Sequence, residues 1–515
     1  MQETGRESPL RWRGWLPVLG TVLTVAVAFR LYALGRLPGI NGDEAWYGVQ
    51  VRRFLENAPV SWRTPTGNLP GPLHLGLLLL LQRVADASLT LLRLPSVIAS
   101  LGQLVLTFFV VRRHFGASTG ALALVWMAVL PVNIAYARFG WDPSHSGLVA
   151  IIAAHFALAG NPVGSALAFA LALAVHPTNV FLAPFLVLAL LGAEVERGGW
   201  KRALVRTGLH GVLLVVSLRV LSFTTSGGAT SVVWAQVLER LGRPAEWGTF
   251  AQLYARFLSG DTVYMYIAGS GLGAARGPAD VAVLALLVGL LGLGVVRLRR
   301  EPVGAASGVV VGWLASLLVF FCLAGNSSIQ PHLERYAMCL VVPSVLALTV
   351  LLRESGARGA LMWRPYVLTT VVSVLLLGGF WLRYFRFLEE TGSTSHETFW
   401  TGAQEPKEAA FARILAEAAP LGGARVVAEN WWVYQPFAYL SRGGPLDVQD
   451  AGGVHGPVPP GGTYWVGFPG GPLERWLTAN RVASVHWDIP GQRRPAALRV
   501  WWSPPSPVLV REPAP

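Results

Sequence analysis

Long apolar runs separated by short polar connections make up most of this chain. A helix needs about 20 mostly apolar residues to cross a bilayer core about 30 Å thick, and several runs reach that length. The pattern therefore predicts a polytopic α-helical membrane protein. The runs that we expect to cross the membrane singly are 15–34, 90–111, 119–137, 203–223, 279–296, 303–324, 336–352 and 365–383.

Two regions depart from this pattern. The apolar run from Leu73 to Leu81 is about half as long as a spanning helix, so residues 72–85 are predicted to form an interfacial or re-entrant helix. Between Ser146 and Leu191, proline-containing breaks separate three short apolar pieces. We favour three short, tilted crossings, and one crossing with a re-entrant hairpin also fits. Three crossings give about eleven spans in total.

After residue 384 the long apolar runs end and shorter helix and strand patterns follow. Residues 405–419 have a helical pattern, and short runs at 424–429, 464–468 and 482–487 are typical of strands separated by Gly and Pro clusters. We therefore predict a membrane domain at 1–384 and a small extracytoplasmic α/β domain at 385–515.

Composition and charge agree with a membrane protein and set its orientation. The 515 residues are 53% hydrophobic and 13% charged, whereas soluble domains have about 25% charged residues. The formal net charge is +13, but most arginines lie in short connections between the apolar runs. This placement is typical of the cytoplasmic loops of a membrane protein and does not indicate nucleic-acid binding. The basic clusters all face the cytoplasm only if residues 72–85 do not span. These clusters are 112–113, 197–206, 297–300 and 353–364.

We therefore expect a multi-pass protein of the plasma (inner) membrane, with the loop after the first span outside the cell. The first apolar run is long and lacks a small-residue cleavage site, so we expect it to remain as a span. Cys322 and Cys339 lie in or beside predicted spans without a CxxC motif, and we interpret them as packing residues.

Two carboxylate sites lie on the predicted outer face. Asp43 and Glu44 follow the turn signal Asn41-Gly42 at the start of a helical pattern, and Asp142 precedes Pro143 at the start of another. Each can cap a helix N-terminus, and each can do chemistry. Carboxylates suit the deprotonation of a hydroxyl acceptor, or the binding of a divalent cation.

Several cations and aromatic residues share that predicted face. An arginine can grip a phosphate through paired N–H donors, and a phosphate on a membrane-embedded substrate is a lipid phosphate. If that phosphate carries a sugar, it becomes the leaving group of a glycosyl transfer. An aromatic-rich external loop, 224–278, suits a lid over such a substrate. The candidate binding residues are Tyr47, Arg52, Arg63, His74, Arg93, His332, Arg335 and Tyr336.

The order of these motifs resembles the C-type (GT-C) glycosyltransferases, in particular the protein O-mannosyltransferase and lipid A aminoarabinosyltransferase branch. One span is followed by Asp43-Glu44 and Tyr47, and a Pro-rich start to an interfacial helix comes next. The later motifs that carry the resemblance are Arg93-Leu94-Pro95-Ser96, Tyr136-Ala137-Arg138 with Asp142, and Arg335-Tyr336 with Pro343.

This resemblance implies an enzyme that takes a sugar from a polyprenyl-phosphate donor at the outer membrane face. It implies Asp43 as the catalytic carboxylate, with Glu44 beside it and Asp142 completing the acidic site. Arg93, Arg335 and His74 would contact the donor phosphate. The acceptor is a lipid, glycan or protein, and a divalent cation, if one is used, would bind at Asp43 and Glu44. Many members carry Lys-Pro-Pro where this chain has Leu69-Pro70-Gly71-Pro72, so Arg63 or His74 would replace that lysine.

Two other classes handle lipid-linked saccharides. A transporter or flippase typically has charges buried within spans and internal repeats, and the sequence shows few of the former and no repeat. An O-antigen ligase is also polytopic and arginine-rich outside, but it does not account for an Asp-Glu loop after the first span. A glycosyltransferase is the prediction that we favour.

Overall fold

The computed structural model describes residues 15–64, 67–221, 234–273, 275, 277–300, 303–355, 363–392, 399–441, 444–453 and 460–505. The described chain is mostly helical. The helices of its first part are α1 (Leu16–Leu31), α2 (Gly42–Leu55), α3 (Pro72–Gln82), α4 (Leu89–Phe115), α5 (Ala117–Val129), α6 (Pro131–Tyr136), α7 (Ser146–Leu158), α8 (Pro162–Val175) and α9 (Ala183–Leu221).

Further helices follow before the C-terminal part. They are α10 (Trp234–Leu241), α11 (Pro244–Ser259), α12 (Pro278–Arg300), α13 (Ala305–Ala324), α14 (Val341–Ser355), α15 (Arg364–Phe380) and α16 (Phe387–Thr391). Short 3-10 segments lie between some of them, and two matter below. They are Asp142–His145, before α7, and Glu334–Leu340, before α14.

Several of these helices are long and apolar, as a multi-pass membrane protein requires. Five helical segments in the described ranges are long and apolar enough to cross a membrane. They are Leu89–Phe115, Pro177–Leu221, Ala305–Ala324, Glu334–Glu354 and Arg364–Thr391. Shorter apolar helices include α1, α3, α5 and α8. A mostly helical chain with several long apolar helices is confirmed and agrees with the predicted membrane protein, while the count of about eleven spans stays a prediction.

Glycine allows two of the spanning helices to approach closely. A Cβ on Gly192 of α9 would lie 2.3 Å from the carbonyl oxygen of Gly304, just before α13. A Cβ on Gly308 would lie 2.5 Å from the Leu188 carbonyl oxygen. Small residues at such contacts let helix backbones meet, which is typical of helix packing in membranes. Helix α9 changes direction at Gly199, whose φ is +73°.

The C-terminal part contains a five-stranded sheet. Its strands are β1 (Ala424–Ala428), β2 (Leu446–Asp450), β3 (Thr463–Gly467), β4 (Val485–Ile489) and β5 (Leu498–Ser503), and their order is β2-β1-β3-β5-β4. The first three pair in parallel, and β5 pairs antiparallel with β3 and β4. The accompanying helices are α17 (Pro406–Ala418), α18 (Trp431–Ser441) and α19 (Pro472–Ala479).

Helix α18 joins this sheet and its helices, which we call the C-terminal domain, to the helical part. The predicted boundary at residue 385 stays a prediction. Helix α18 lies against α2, and its residues Ala438 and Tyr439 belong to the same apolar core as the long helices. The Tyr439 hydroxyl also accepts a hydrogen bond from the Ser88 backbone N–H at 3.2 Å. The C-terminal domain therefore rests directly on the helix that follows the Asp43 loop.

Candidate active site

The loop after α1 ends in a complete helix cap. The Asn41 side chain accepts a hydrogen bond from the Asp43 backbone N–H at 2.7 Å, and the Glu44 carboxylate accepts one from the Asn41 backbone N–H at 3.0 Å. This capping box satisfies backbone donors at the start of α2. The predicted helix start is present, but Asn41 and Glu44 make the cap. The Asp43 carboxylate is therefore not needed for it.

Glu44 and Arg93 form a fully buried ion pair. Arg93 Nη2 lies 2.7 Å from Glu44 Oε1, and Arg93 Nε lies 3.0 Å from Oε2. The remaining Arg93 donors bind backbone carbonyl oxygens of residues 34, 37, 38 and 39. Glu44 Oε2 also accepts from the Gly140 backbone N–H at 3.1 Å. Because every strong donor and acceptor of the pair is used, it holds the Asp43 loop in place.

The sequence predicted that Glu44 reacts and that Arg93 contacts a phosphate. In the structure these two side chains bind each other, and both roles stay predictions. Their hydrogen-bonding positions are occupied within the protein. Two further arginines are placed elsewhere. Arg52 donates to the carbonyl oxygens of Ala438 and Tyr439 at the end of α18. Arg63 is exposed and donates to the Gly67 carbonyl within its own loop.

Asp43 keeps a carboxylate available at the surface of the site. It is half-buried, and the Trp431 indole Nε1 of the C-terminal domain donates to its Oδ1 at 3.2 Å. Burial raises the pKa of Asp43, while the positive charge of Arg335 and the Trp431 hydrogen bond oppose that rise. A partly desolvated carboxylate with a cation nearby is suited to take a proton from a hydroxyl group.

Asp142 is buried in a second carboxylate site. Its Oδ2 accepts from the Tyr47 hydroxyl at 2.6 Å and from the Gly71 backbone N–H at 2.7 Å, while its Oδ1 has no hydrogen-bond partner in the described residues. Burial raises the pKa of Asp142 to about 7, and the two hydrogen bonds limit the rise. A Cβ on Gly71 would lie 2.7 Å from Oδ1, so glycine leaves room for this carboxylate.

Two histidines extend the polar cluster beyond Tyr47. His74 Nδ1 lies 3.1 Å from His145 Nε2, and the His74 ring meets the Tyr47 ring edge to face, with centroids 5.1 Å apart. Burial lowers the pKa of His145 to about 4. The pair therefore has a neutral imidazole at His145 near neutral pH. Tyr47, His74 and Asp142, which the sequence selected separately, meet in one place.

Arg335 lies near Asp43 and over Trp141, the residue that precedes Asp142. Its guanidinium lies over the rings of Trp141 and Tyr336, 5.3 Å from each centroid, and Tyr336 stacks on His176 at 6.0 Å. Its charge acts on Asp43. Unlike Arg93, Arg335 joins no ion pair within the described ranges. It is thus the predicted phosphate ligand that the structure leaves able to bind an anion.

Glu334, next to Arg335, was missed in the sequence. It is fully buried, and neither carboxylate oxygen has a hydrogen-bond partner in the part of the chain that the structure describes. The buried Tyr136 hydroxyl is its neighbour and interacts with its carboxylate. The signal in the sequence that could have identified Glu334 was an acidic residue at the start of a long apolar run. Tyr266 also borders Arg335, and its ring lies 4.4 Å from that of the exposed His332.

The described residues do not form an obvious metal centre. They contain no group of three or more His, Cys, Asp or Glu side chains placed to hold a metal ion. Glu44, one of the two predicted cation ligands, has its oxygens occupied by Arg93 and backbone N–H groups. Asp43 is the other predicted ligand, and its Oδ2 stays available.

The fold is similar to that of solved ArnT structures, which agrees with the resemblance to C-type glycosyltransferases seen in the sequence. The crystal structure of ArnT from Cupriavidus metallidurans bound to undecaprenyl phosphate is similar, with a TM-score of 0.52 and 14% identity over 95% of this chain and 98% of that chain. The apo form of the same ArnT gives a TM-score of 0.51.

A weaker similarity extends to the Archaeoglobus fulgidus oligosaccharyltransferase in complex with Zn and sulfate. It has a TM-score of 0.49 and 13% identity, over 82% of this chain and 61% of that chain. No family model matches the sequence, and no curated protein matches it.

Proposed function

We propose that this protein is a glycosyltransferase that moves a sugar from a polyprenyl-phosphate-linked donor to an acceptor at the extracytoplasmic face of the plasma membrane. The observation that carries the proposal is a polar site built from three distant segments. The Tyr47 hydroxyl donates to Asp142, and Arg335, whose charge acts on Asp43, lies over the ring of Trp141. The ArnT fold, in a protein that was crystallised with undecaprenyl phosphate, supports a lipid-phosphate donor.

Arg335 binds the donor phosphate in this proposal. Its planar guanidinium lies over the Trp141 and Tyr336 rings, and a guanidinium has paired N–H donors that match a phosphate in geometry and charge. Stabilisation of the departing phosphate makes it a better leaving group. Tyr336, His74 and His332 border the same region and are proposed as further substrate contacts.

Asp43 acts as the general base. It takes the proton of the acceptor hydroxyl while the acceptor oxygen forms a bond to the anomeric carbon of the sugar. The bond between that carbon and the phosphate oxygen breaks, and the lipid phosphate leaves with the electron pair. The donor sugar is a hexose or a pentose, and the acceptor is a lipid, glycan or protein.

Asp142 supports this step through its neighbours. Its hydrogen bonds to Tyr47 and to the Gly71 amide tie the start of α3 to α2, and its free Oδ1 is available to a sugar hydroxyl. Because burial places the pKa of Asp142 near 7, it exchanges a proton readily at neutral pH.

The test is incubation of purified protein with a panel of polyprenyl-phosphate sugars, with release of the lipid phosphate as the measurement. Release that needs an acceptor extract supports a transferase and identifies the donor class. If the protein instead moves labelled lipid-linked sugar across vesicles without release, it is a flippase. If it neither releases nor moves any donor of the panel, the proposed donor class is wrong.

A further inference from the structure

Helix α18 of the C-terminal domain is fixed along α2 at both of its ends. A Cβ on Gly42 would lie 2.9 Å from the Trp431 ring, and a Cβ on Gly48 would lie 2.4 Å from the Tyr439 ring, so the two helices touch closely. Near the other end of α2, Arg52 donates to the last carbonyl oxygens of α18. This contact leaves little freedom for Trp431 to move relative to Asp43.

The contact delivers a hydrogen-bond donor to the candidate base. Trp431 Nε1 binds Asp43 Oδ1, and in the described residues it is the side-chain donor that reaches that carboxylate. An N–H group that binds the charged form of an acid stabilises that form and fixes its orientation. With Oδ1 held, the second oxygen is left to receive a proton.

We infer that Trp431 is a positioning residue for Asp43, so that the C-terminal domain completes the active site of the membrane domain. The inference rests on the proposed function, because it assumes that Asp43 is the base. Trp431 does not itself touch the reacting atoms. It sets the orientation of the Asp43 carboxylate and lowers its affinity for a proton.

The matched variants are Trp431→Phe and Trp432→Phe. Both keep an aromatic ring against Gly42, but only the first removes the N–H donor to Asp43. Loss of the hydrogen bond that stabilises the Asp43 carboxylate raises the pKa of Asp43. The acid limb of the pH–rate profile therefore moves to higher pH in Trp431→Phe. Misplacement of the base lowers kcat by about tenfold to a hundredfold with little change in KM for the donor. Trp432→Phe keeps the wild-type profile. A Trp431→Phe profile that superimposes on the wild type overturns the inference.

A second measurement separates this inference from the proposed function. The full-length protein is labelled with fluorotryptophan, and the ¹⁹F resonance that is missing in Trp431→Phe is followed as a function of pH. That resonance is expected to titrate in the wild type and to stop titrating in Asp43→Asn. If no donor is turned over but the resonance titrates in this way, the proposed function fails and the coupling of Trp431 to Asp43 stands. If the resonance does not titrate, the coupling is wrong, whatever the activity.

Discussion

A buried carboxylate is costly unless donors surround it, and the buried acids near the site meet that cost in different ways. Glu44 has a donor at every position, including a two-point bond from Arg93. Asp142 has two donors on one oxygen, and Glu334 has the Tyr136 hydroxyl as a neighbour but joins no ion pair among the described residues. The number of donors at each carboxylate therefore separates Glu44, which stabilises the fold, from the acids that can interact with a substrate.

The first prediction at the residue scale concerns Asp43→Asn. Turnover is expected to fall at least about a hundredfold, because general-base assistance is typically worth about a hundredfold to ten-thousandfold. The protein should still fold, since Asn41 and Glu44 form the cap of α2 without the Asp43 carboxylate. Lipid-phosphate release and the melting temperature (Tm) are measured together. Near-normal transfer by a folded Asp43→Asn protein would contradict this role for Asp43 and assign the general base to Asp142.

The second prediction compares Glu334→Gln with Glu44→Gln. Glu334 is buried and joins no ion pair in the part of the chain that the structure describes, so the neutral amide is expected to leave Tm unchanged or raise it, while donor turnover falls. Glu44→Gln should lower Tm, because it leaves the buried Arg93 without its counter-charge. Thermal unfolding in detergent gives the comparison. A lower Tm for Glu334→Gln would identify Glu334 as a structural residue.

At the element scale, the fit of α2 against α18 sets the shape of the site. Gly48→Ala places a Cβ 2.4 Å from the Tyr439 ring and 2.6 Å from a Leu92 methyl group, so the two helices must separate. We expect a lower Tm, faster proteolysis of the C-terminal domain and reduced turnover. Gly76→Ala in α3 is the control, since nothing lies within 4 Å of its Cβ. Equal behaviour of the two variants would show that this contact does not determine the site.

Helix starts and most strands were predictable because local patterns determine them. The turn before α2, the Pro-rich start of α3, helix α17 and strands β1, β3 and β4 all appear near the predicted residues. Strand β2, Leu446–Asp450, has two aspartates in five residues and so a low β-propensity. Strand β5, Leu498–Ser503, was missed although its Val-Trp-Trp run is typical of strands.

The partners of the arginines were not predictable, because they depend on distant backbone. Arg93 and Arg52 bind carbonyl groups of segments that reach them only after folding, and Trp431 reaches Asp43 across 388 positions of sequence. The positive-inside rule, applied to the basic clusters, was enough to place Asp43, Asp142 and Arg335 on one predicted face of the membrane. It could not distinguish an arginine that binds substrate from one that binds the protein.

At the scale of the whole molecule, the polar site and a basic region lie at opposite ends of the same helices. Helix α4 carries Arg93 near its start and Arg112–Arg113 near its end, and nineteen helical steps correspond to roughly 30 Å, the thickness of a bilayer core. At that second end His114 lies 3.4 Å from His155 of α7, and the buried Glu194 binds Arg197, Arg202 and Arg206. The positive-inside rule then favours a cytoplasmic basic end and an external site.

The last prediction tests that orientation with single cysteines in a background of Cys322→Ala and Cys339→Ala. Trp62 is 60% exposed in the loop after α2, and Val485 is 61% exposed in the C-terminal sheet, so Trp62→Cys and Val485→Cys are expected to react with an impermeant thiol reagent in intact cells. Arg113→Cys, at the basic end of α4, should react only after the membrane is permeabilised. Trp141 is only 3% exposed and is not a useful position for labelling. If Arg113→Cys were labelled from outside and Trp62→Cys were not, the orientation would be inverted and the proposed site would face the cytoplasm. If both were labelled from outside, residues 72–85 would have to cross the membrane.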